Sequence, residues 1–498
     1  MTAQQSKIRH LRWYICTLLF FAATINYLDR QTVGVLKPLL QEQLGWTESG
    51  YGWIQFSFQT AYAIMQAVSG RLLDFVGVRG GFIAAVIIWS LAAMAHALAR
   101  GPVGFAVARF ALGVGEAANF PASIKSVAEW FPKKERALAT GIFNSGTNVG
   151  VMLSPLIAWL ATVWHWQAAF IITGAIGFLW LLLWSWLYES PEKHARLSEQ
   201  EKALILSDKE PPTTALKVPW VELLRYRQAW AFFMGKMMTD PVWWFYLYWL
   251  PSYLHDKRGL SALSGAKMLI IPYVAADVGS VFGGWLSGFL IKRGWRVGPA
   301  RLLAMLVFAV CMPGAIWAVL TQSFWLALSL ISLATACHQA WSANLFTLSS
   351  DMFPKSVVGS VVGLGGMCGA IGGMFMTLVA GGVLQWFGSY VPLFFIAGLM
   401  HPMALIVIIS FTGKEVRQAE VEVGLKSGTS PVLIISGLLV AVAGGGLATA
   451  VWVYWSYIVQ AAHSVSTAAG GLVASIGVAL LGLTLIYAGL GRKRATNV

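Results

Sequence analysis

Charge is what this sequence has least of. Charged residues make up 11% of its 498 positions, against about 25% in soluble globular proteins. A soluble enzyme and a disordered chain are excluded on that ground. Cysteine is scarce as well. Cys16, Cys311, Cys337 and Cys368 have no paired spacing and no histidine cluster nearby. That excludes a disulfide scaffold and a zinc module, and the four read as small buried hydrophobes. There is no nucleotide loop, metal-ligand cluster or nucleophile–base motif. The chain is therefore not read as an enzyme, and no cofactor or metal is expected. A filter-like repeat is also missing, which disfavours a channel. What is abundant is apolar: 57% hydrophobic residues and a mean hydropathy of +0.67. Such a composition suits lipid as the main solvent.

A spanning helix needs about 20 mostly apolar residues. Fourteen runs qualify: 13–36, 50–73, 80–99, 102–127, 137–162, 167–188, 228–254, 262–291, 300–320, 323–349, 357–385, 390–412, 431–459 and 466–490. The first is too long for a signal peptide and has no clear cleavage site, so it reads as a retained span. The longest polar interruption, 189–227, splits the first twelve into six plus six. The expected organisation is thus a six-helix half at 1–190, a linker at 191–227, a second half at 228–415, and a two-span hairpin with its tail at 416–498. The hairpin has no charged residue within its spans and reads as a packing or assembly appendage.

The basic residues orient this array. With the N-terminus inside and the spans alternating, the outer loops receive only Lys37, Arg100, Lys257 and Arg258. Five more lie within spans, and the rest fall inside. That bias is a positive-inside signal. It accounts for the net charge of +14 without nucleic acid, since cytoplasmic loops sit beside anionic lipid. Both termini come out cytoplasmic.

An internal repeat supports two halves. Trp130-Phe131-Pro132-Lys133 precedes the fifth run and Met352-Phe353-Pro354-Lys355 the eleventh. Both introduce glycine-rich helices. Parallel six-helix repeats are a transporter architecture with the substrate site between the halves near the midplane.

The segment Gly70-Arg71-Leu72-Leu73-Asp74-Phe75-Val76-Gly77-Val78-Arg79 resembles the loop signature of the major facilitator superfamily. Its second-half copy has Ser287 where the acid would stand. Asn26-Tyr27-Leu28-Asp29-Arg30, Arg109-Phe110-Ala111-Leu112-Gly113-Val114-Gly115-Glu116-Ala117 and Asn119-Phe120-Pro121 resemble the anion:cation symporter family. Within it the chain is most similar to bacterial hexuronate transporters, through Thr239-Asp240-Pro241-Val242-Trp243-Trp244, Trp249-Leu250-Pro251 and His338-Gln339-Ala340. The resemblance covers roughly residues 10 to 415. It implies an all-α membrane protein of the major facilitator fold, here with the extra hairpin. It further implies a monomeric, proton-coupled importer of a sugar acid in the cell's inner membrane.

Ionisable groups within spans cost about 2.5–3.5 kcal/mol each, so they face cavities and pair. Arg30 offers a planar fork for a carboxylate, and Tyr27 shares its face. Adjacent Asp29 points about 100° away, toward another partner. Arg109 and Glu116 lie two turns apart, too far to pair with each other. The resemblance assigns proton coupling to Glu116, with Asp29, and gives Arg109 the part of tying the acids together. Lys236 and Asp240 form an i, i+4 pair before Pro241 and are either mutually neutralised or set a second cation opposite Arg30. Trp243 and Trp244 are candidates for sugar stacking, though interfacial aromatic belts give the same pattern. Tyr62, Gln66, Thr147, His338, Gln339 and Asn344 are the remaining candidates for lining a cavity. Lone intramembrane histidines more often pack than carry protons. Asp74 and Arg79 are expected to lock helices together at the cytoplasmic side. Asp240 and Pro241 belong to a bending helix. Lys125 and Glu129 read as an exposed pair or gate. Asp277 has no evident partner. Galactonate-type members are expected to place amides where Thr147 and Gly366 stand here, so their sugar contacts do not carry over. The competing readings are a symporter of an aldonate, aldarate or aromatic acid, and a membrane sensor that binds without transport.

Overall fold

The structure, a computed structural model, describes residues 7–45, 48–208, 220–260, 262–413, 416 and 419. Seventeen α-helices occur among them: α1 (Leu11–Leu44), α2 (Glu48–Val76), α3 (Val78–Ala95), α4 (Pro102–Glu116), α5 (Asn119–Trp130), α6 (Lys133–Met152), α7 (Ser154–Val163), α8 (Trp166–Leu187), α9 (Glu199–Ile205), α10 (Trp220–Leu223), α11 (Arg227–Arg258), α12 (Ala262–Lys292), α13 (Val297–Cys311), α14 (Gly314–Leu320), α15 (Phe324–Met352), α16 (Val358–Phe387) and α17 (Val391–Thr412). The described residues form no strand, only one isolated bridge between Ile8 and Leu197.

Each of the first twelve expected runs falls on one helix or on two in succession. Three are interrupted. The fourth breaks at Ala117–Ala118 into α4 and α5, the fifth at Leu153 into α6 and α7, and the ninth at Met312–Pro313 into α13 and α14. Pro155 and Pro313 explain the last two, since proline brings no N–H to the ladder. Among the described residues eight stretches are long and apolar enough to cross a membrane, against the twelve expected runs that fall there. Helices α11 and α15 are not among the eight; both carry the polar side chains of the cavity described below. The runs 431–459 and 466–490, and the hairpin they were expected to form, lie outside the described residues.

Helix α11 continues through Pro241 and Pro251. Proline at 241 frees the carbonyl of Met237, and Gly372 of α16 packs against it so closely that a Cβ there would overlap that oxygen. Elsewhere early helices pack on late ones, α2 against α16 and α6 against α12 and α15.

A buried ionic cluster joins α6, α13 and α15. Arg301 Nε lies 3.0 Å from Asp351 Oδ2, and Arg136 Nη1 lies 3.5 Å from Asp351 Oδ1. Arg136 also donates to Ser350 O, and Arg301 to Ser287 Oγ and Lys133 O. Ser287 thus stands where the repeat lacks its acid, and Asp351 supplies the charge from another helix. Removing one partner of a buried ion pair costs about 3–5 kcal/mol. Asp351→Asn leaves two buried guanidiniums against neutral groups. It is expected to lower the unfolding temperature in detergent clearly, while Lys7→Ala leaves it unchanged. Lys7 pairs with Glu199 at the surface, 2.9 Å apart, and holds that exposed carboxyl below its usual range.

Candidate functional site

One cavity brings together polar side chains from early and late helices. Its walls are Tyr27 and Arg30 of α1, Tyr62 and Gln66 of α2, Phe120 of α5, and Asn144 and Thr147 of α6. From the later chain come Lys236, Asp240, Trp243, Trp244 and Leu247 of α11, and His338, Gln339, Ser342 and Phe346 of α15. Val362, Gly366 and Ala370 of α16 complete it. Its empty space, solvent at its mouth included, amounts to about 720 Å³. Every expected substrate residue except Asn344 lies here. The Asn344 amide donates to Gly283 O and Ala340 O and is buried between α15 and α12.

The two cations of the cavity are each held by an acid. Arg30 Nη2 and Nε lie 2.8 and 2.9 Å from Glu116 Oε2. The guanidinium is also flanked by the rings of Tyr27, Tyr62 and Phe58, with centroids 4.5, 4.6 and 5.1 Å away. Aromatic faces attract a cation without satisfying its donors; the donors of the fork go to Glu116 and, from Nη2, to Asn26 Oδ1 at 3.2 Å. Lys236 Nζ lies 2.7 Å from Asp240 Oδ2 and 4.0 Å from the centroid of Phe346.

Behind Arg30 sits a second tier. Arg109, fully buried, donates through Nη2 to the Arg30 carbonyl at 2.8 Å. It makes no ion pair with an acid among the described residues, so the expected tie between acids is absent here. Asp29 is buried, and neither of its oxygens meets hydrogen-bond geometry. It does not pair with its neighbour Arg30, in keeping with their angular separation.

Polar groups bridge early and late helices around the cavity. Asn144 Nδ2 donates to Gln339 Oε1 at 2.8 Å and to Ser280 Oγ at 3.2 Å. Asn148 donates to Asp277 at 2.6 Å, which supplies the partner that the sequence did not reveal. Gln66 fills the space beside Gly366, where a Cβ would overlap its amide oxygen. An amide thus reaches that wall from α2 instead of α16.

Asp74 and Arg79 part company. Arg79 pairs with Glu189, 2.6 Å away and half-exposed. Asp74 meets Lys125 at 2.5 Å, and Lys125 is buried. The expected Lys125–Glu129 pair is therefore corrected: α2 brings Asp74 nearer to the ammonium than Glu129, which accepts from Tyr188 OH instead. Asp74 also accepts from Gly359 N, Ser360 N and Ser360 Oγ at 3.2, 2.8 and 2.6 Å. Those groups belong to the first turn of α16, whose own N-cap residue, Val357, has no acceptor side chain.

The sequence pattern of the Major Facilitator Superfamily matches residues 19–377. The chain belongs to the major facilitator superfamily. It is a multi-pass membrane transporter, not an enzyme. The hexuronate transporter of Escherichia coli K12 is 34% identical over 408 residues, covering 81% of this chain and 94% of that protein. The galacturonate transporter of Dickeya chrysanthemi is 35% identical over 314 residues, covering 62% of this chain and 91% of that one. Among solved structures, the proton:xylose symporter XylE superposes with a TM-score of 0.64 at 16% identity, covering 81% of this chain and 96% of that one. That likeness concerns the fold.

In this facilitator an aromatic pair and a histidine escaped the sequence analysis. Phe120 and Phe346 stack at 5.2 Å across the cavity wall. His401 of α17 meets His338. A histidine inside an apolar run was the available signal for the second.

Proposed function

We propose that this facilitator is a proton-coupled symporter of a sugar acid, most closely a hexuronate such as galacturonate or glucuronate. On this reading two six-helix halves rock around the cavity in the inner membrane. The single observation that carries it is the cavity with Arg30 on an early helix and Lys236 on a late one. A fork suits a carboxylate, while Asn144, Gln339, Gln66 and Thr147 suit hydroxyls. The substrates in the names of the two relatives point the same way.

The geometry suggests how a proton is coupled. Glu116 occupies Arg30 in this structure. A substrate carboxylate and an ionised Glu116 compete for one guanidinium. Protonating Glu116 removes the competitor, so Arg30 can take the substrate. Release of the proton on the other side restores the Arg30–Glu116 pair and expels the anion. Asp29 and Arg109 act behind this exchange. Asp74 with Lys125 holds one end closed, and α11 bends at Pro241 beside the Lys236–Asp240 pair.

The test is uptake of labelled galacturonate and glucuronate into proteoliposomes, with and without an inward proton gradient. Wild type should accumulate the anion only with the gradient. Glu116→Gln is expected to lose accumulation yet retain exchange between labelled and unlabelled substrate, because a permanently neutral residue cannot carry the proton. Equal accumulation with and without the gradient would refute proton coupling. Failure of a correctly inserted wild type to take up either anion would refute the hexuronate reading, and aldonates, aldarates and aromatic acids would be screened in the same vesicles.

A further inference from the structure

His338 and His401 form a buried imidazole pair, with His338 Nδ1 3.0 Å from His401 Nε2. Aromatic rings fix both. Trp243 stacks on His338 at 5.4 Å with planes 10° apart, and Trp341 meets His401 edge-on at 5.3 Å. Rotation of either ring is thus blocked. His338 lines the cavity and His401 does not. Neither ring hydrogen-bonds a carboxylate among the described residues, so both are taken as neutral imidazoles, each with one N–H.

Two tautomer arrangements can make this hydrogen bond. In the first, His338 Nδ1–H donates to His401 Nε2. His401 then carries its hydrogen nowhere on the bond, so its Nδ1 must be an N–H, and that atom is buried with no partner. The indole N–H of Trp341, packed against the same ring, also has no acceptor. This arrangement strands the His401 N–H, while the Trp341 N–H lacks an acceptor in either arrangement. In the second, His401 Nε2–H donates to His338 Nδ1, and His401 Nδ1 is left as a bare lone pair. Stranded buried N–H groups are rarer and costlier than under-used acceptors. The second arrangement is favoured, and it forces the hydrogen of His338 onto Nε2. That nitrogen has no hydrogen bond to the described residues, and it is not among the atoms sealed from solvent.

We propose that His401 is a positioning residue that holds His338 in the Nε2–H tautomer, making the cavity face of that ring a fixed donor to an oxygen of the transported sugar acid. The substrate part of this statement rests on the sugar-acid reading above, and the tautomer part does not. The donor adds to Arg30 and Lys236 a third fixed point, one that selects for an acceptor oxygen rather than for charge. His401 touches nothing in the cavity and acts only through His338.

The tautomer is read in ligand-free protein by nitrogen NMR of 15N-histidine-labelled protein, with His338→Gln identifying its resonances. Wild type should show His338 with bare Nδ1 and protonated Nε2. The opposite tautomer overturns the proposal whatever the protein transports. His401→Gln places an amide N–H near the lost Nε2–H and should keep both tautomer and affinity. His401→Leu removes the donor and should give mixed tautomers with galacturonate affinity lowered about two- to ten-fold, the worth of one neutral hydrogen bond. If His401→Leu does not fold, the wild-type tautomer and the His401→Gln affinity still decide. Equal affinities in folded Leu and wild-type proteins, or equal losses in Gln and Leu, overturn the positioning role. A wild type that binds no sugar acid defeats the functional reading and leaves the tautomer result intact.

Discussion

Arg30→Ala should reduce galacturonate uptake by about 30-fold or more, with Arg30→Lys recovering only a small part. Truncating one member of a buried, hydrogen-bonded charge pair costs about 2–5 kcal/mol, and each 1.4 kcal/mol is about ten-fold. Two effects contribute to that cost and can be separated. The alanine removes the fork that would hold the substrate carboxylate. It also strands Glu116, which is fully buried and has no other partner at Oε2 than Arg30 among the described residues. Arg30→Ala/Glu116→Gln relieves the second effect alone. The double variant should regain the thermal stability lost by the single one and still fail at exchange of labelled for unlabelled substrate, the transport that Glu116→Gln alone retains. If it regains transport as well, Arg30 serves the fold rather than the substrate. Lysine keeps the charge but not the two parallel donors, which is why its rescue should be slight.

Gly70→Val and Gly363→Val should each hold α2 and α16 apart. A Cβ at Gly70 would overlap Gly359 O, and one at Gly363 would overlap Gln66 O. Both obstacles are backbone atoms, so no side chain can rotate out of the way. Overpacking costs about 1–3 kcal/mol, which shifts the ratio of closed to parted helices about 5- to 150-fold. The measurement is alkylation of Ser360→Cys by a membrane-impermeant maleimide applied to the face that bears Asp74. Ser360 is fully buried in this structure with its hydroxyl 2.6 Å from Asp74 of α2, so the thiol should react slowly in the parent and much faster beside either valine. Uptake should fall in parallel. Unchanged alkylation rates in both variants would contradict the idea that this contact closes the carrier.

The helices were readable because lipid demands long apolar runs, and twelve of these fall on helices or successive helix pairs. Breaks at Ala117 and Leu153 were not read, since an apolar run looks alike whether the helix stops or continues. The charged residues in and behind the cavity were readable for a different reason. Arg30, Glu116, Lys236 and Asp240 are costly where they stand, so their presence alone marks them. Their partners were less legible. The i, i+4 spacing gave Lys236–Asp240 correctly and Lys125–Glu129 incorrectly, because spacing cannot weigh an acid arriving from another helix, as Asp74 does. Arg30–Glu116 and His338–His401 join residues far apart in the chain, and no local pattern encodes them. Asn344 was assigned to the cavity by its helix, but its position on that helix turns it to α12.

Helix α16 begins without a cap of its own and borrows one from α2. Asp74 supplies the acceptor for its first amides, and Lys125 neutralises that acid. Any movement that parts the two helices uncaps α16, leaving the amides of Gly359 and Ser360 to water. The first turn should then fray whenever this side gapes and wind up again when it shuts. Deuterium uptake at those two amides would thus act as a built-in clock for the carrier's alternation, one that needs neither a label nor a known cargo.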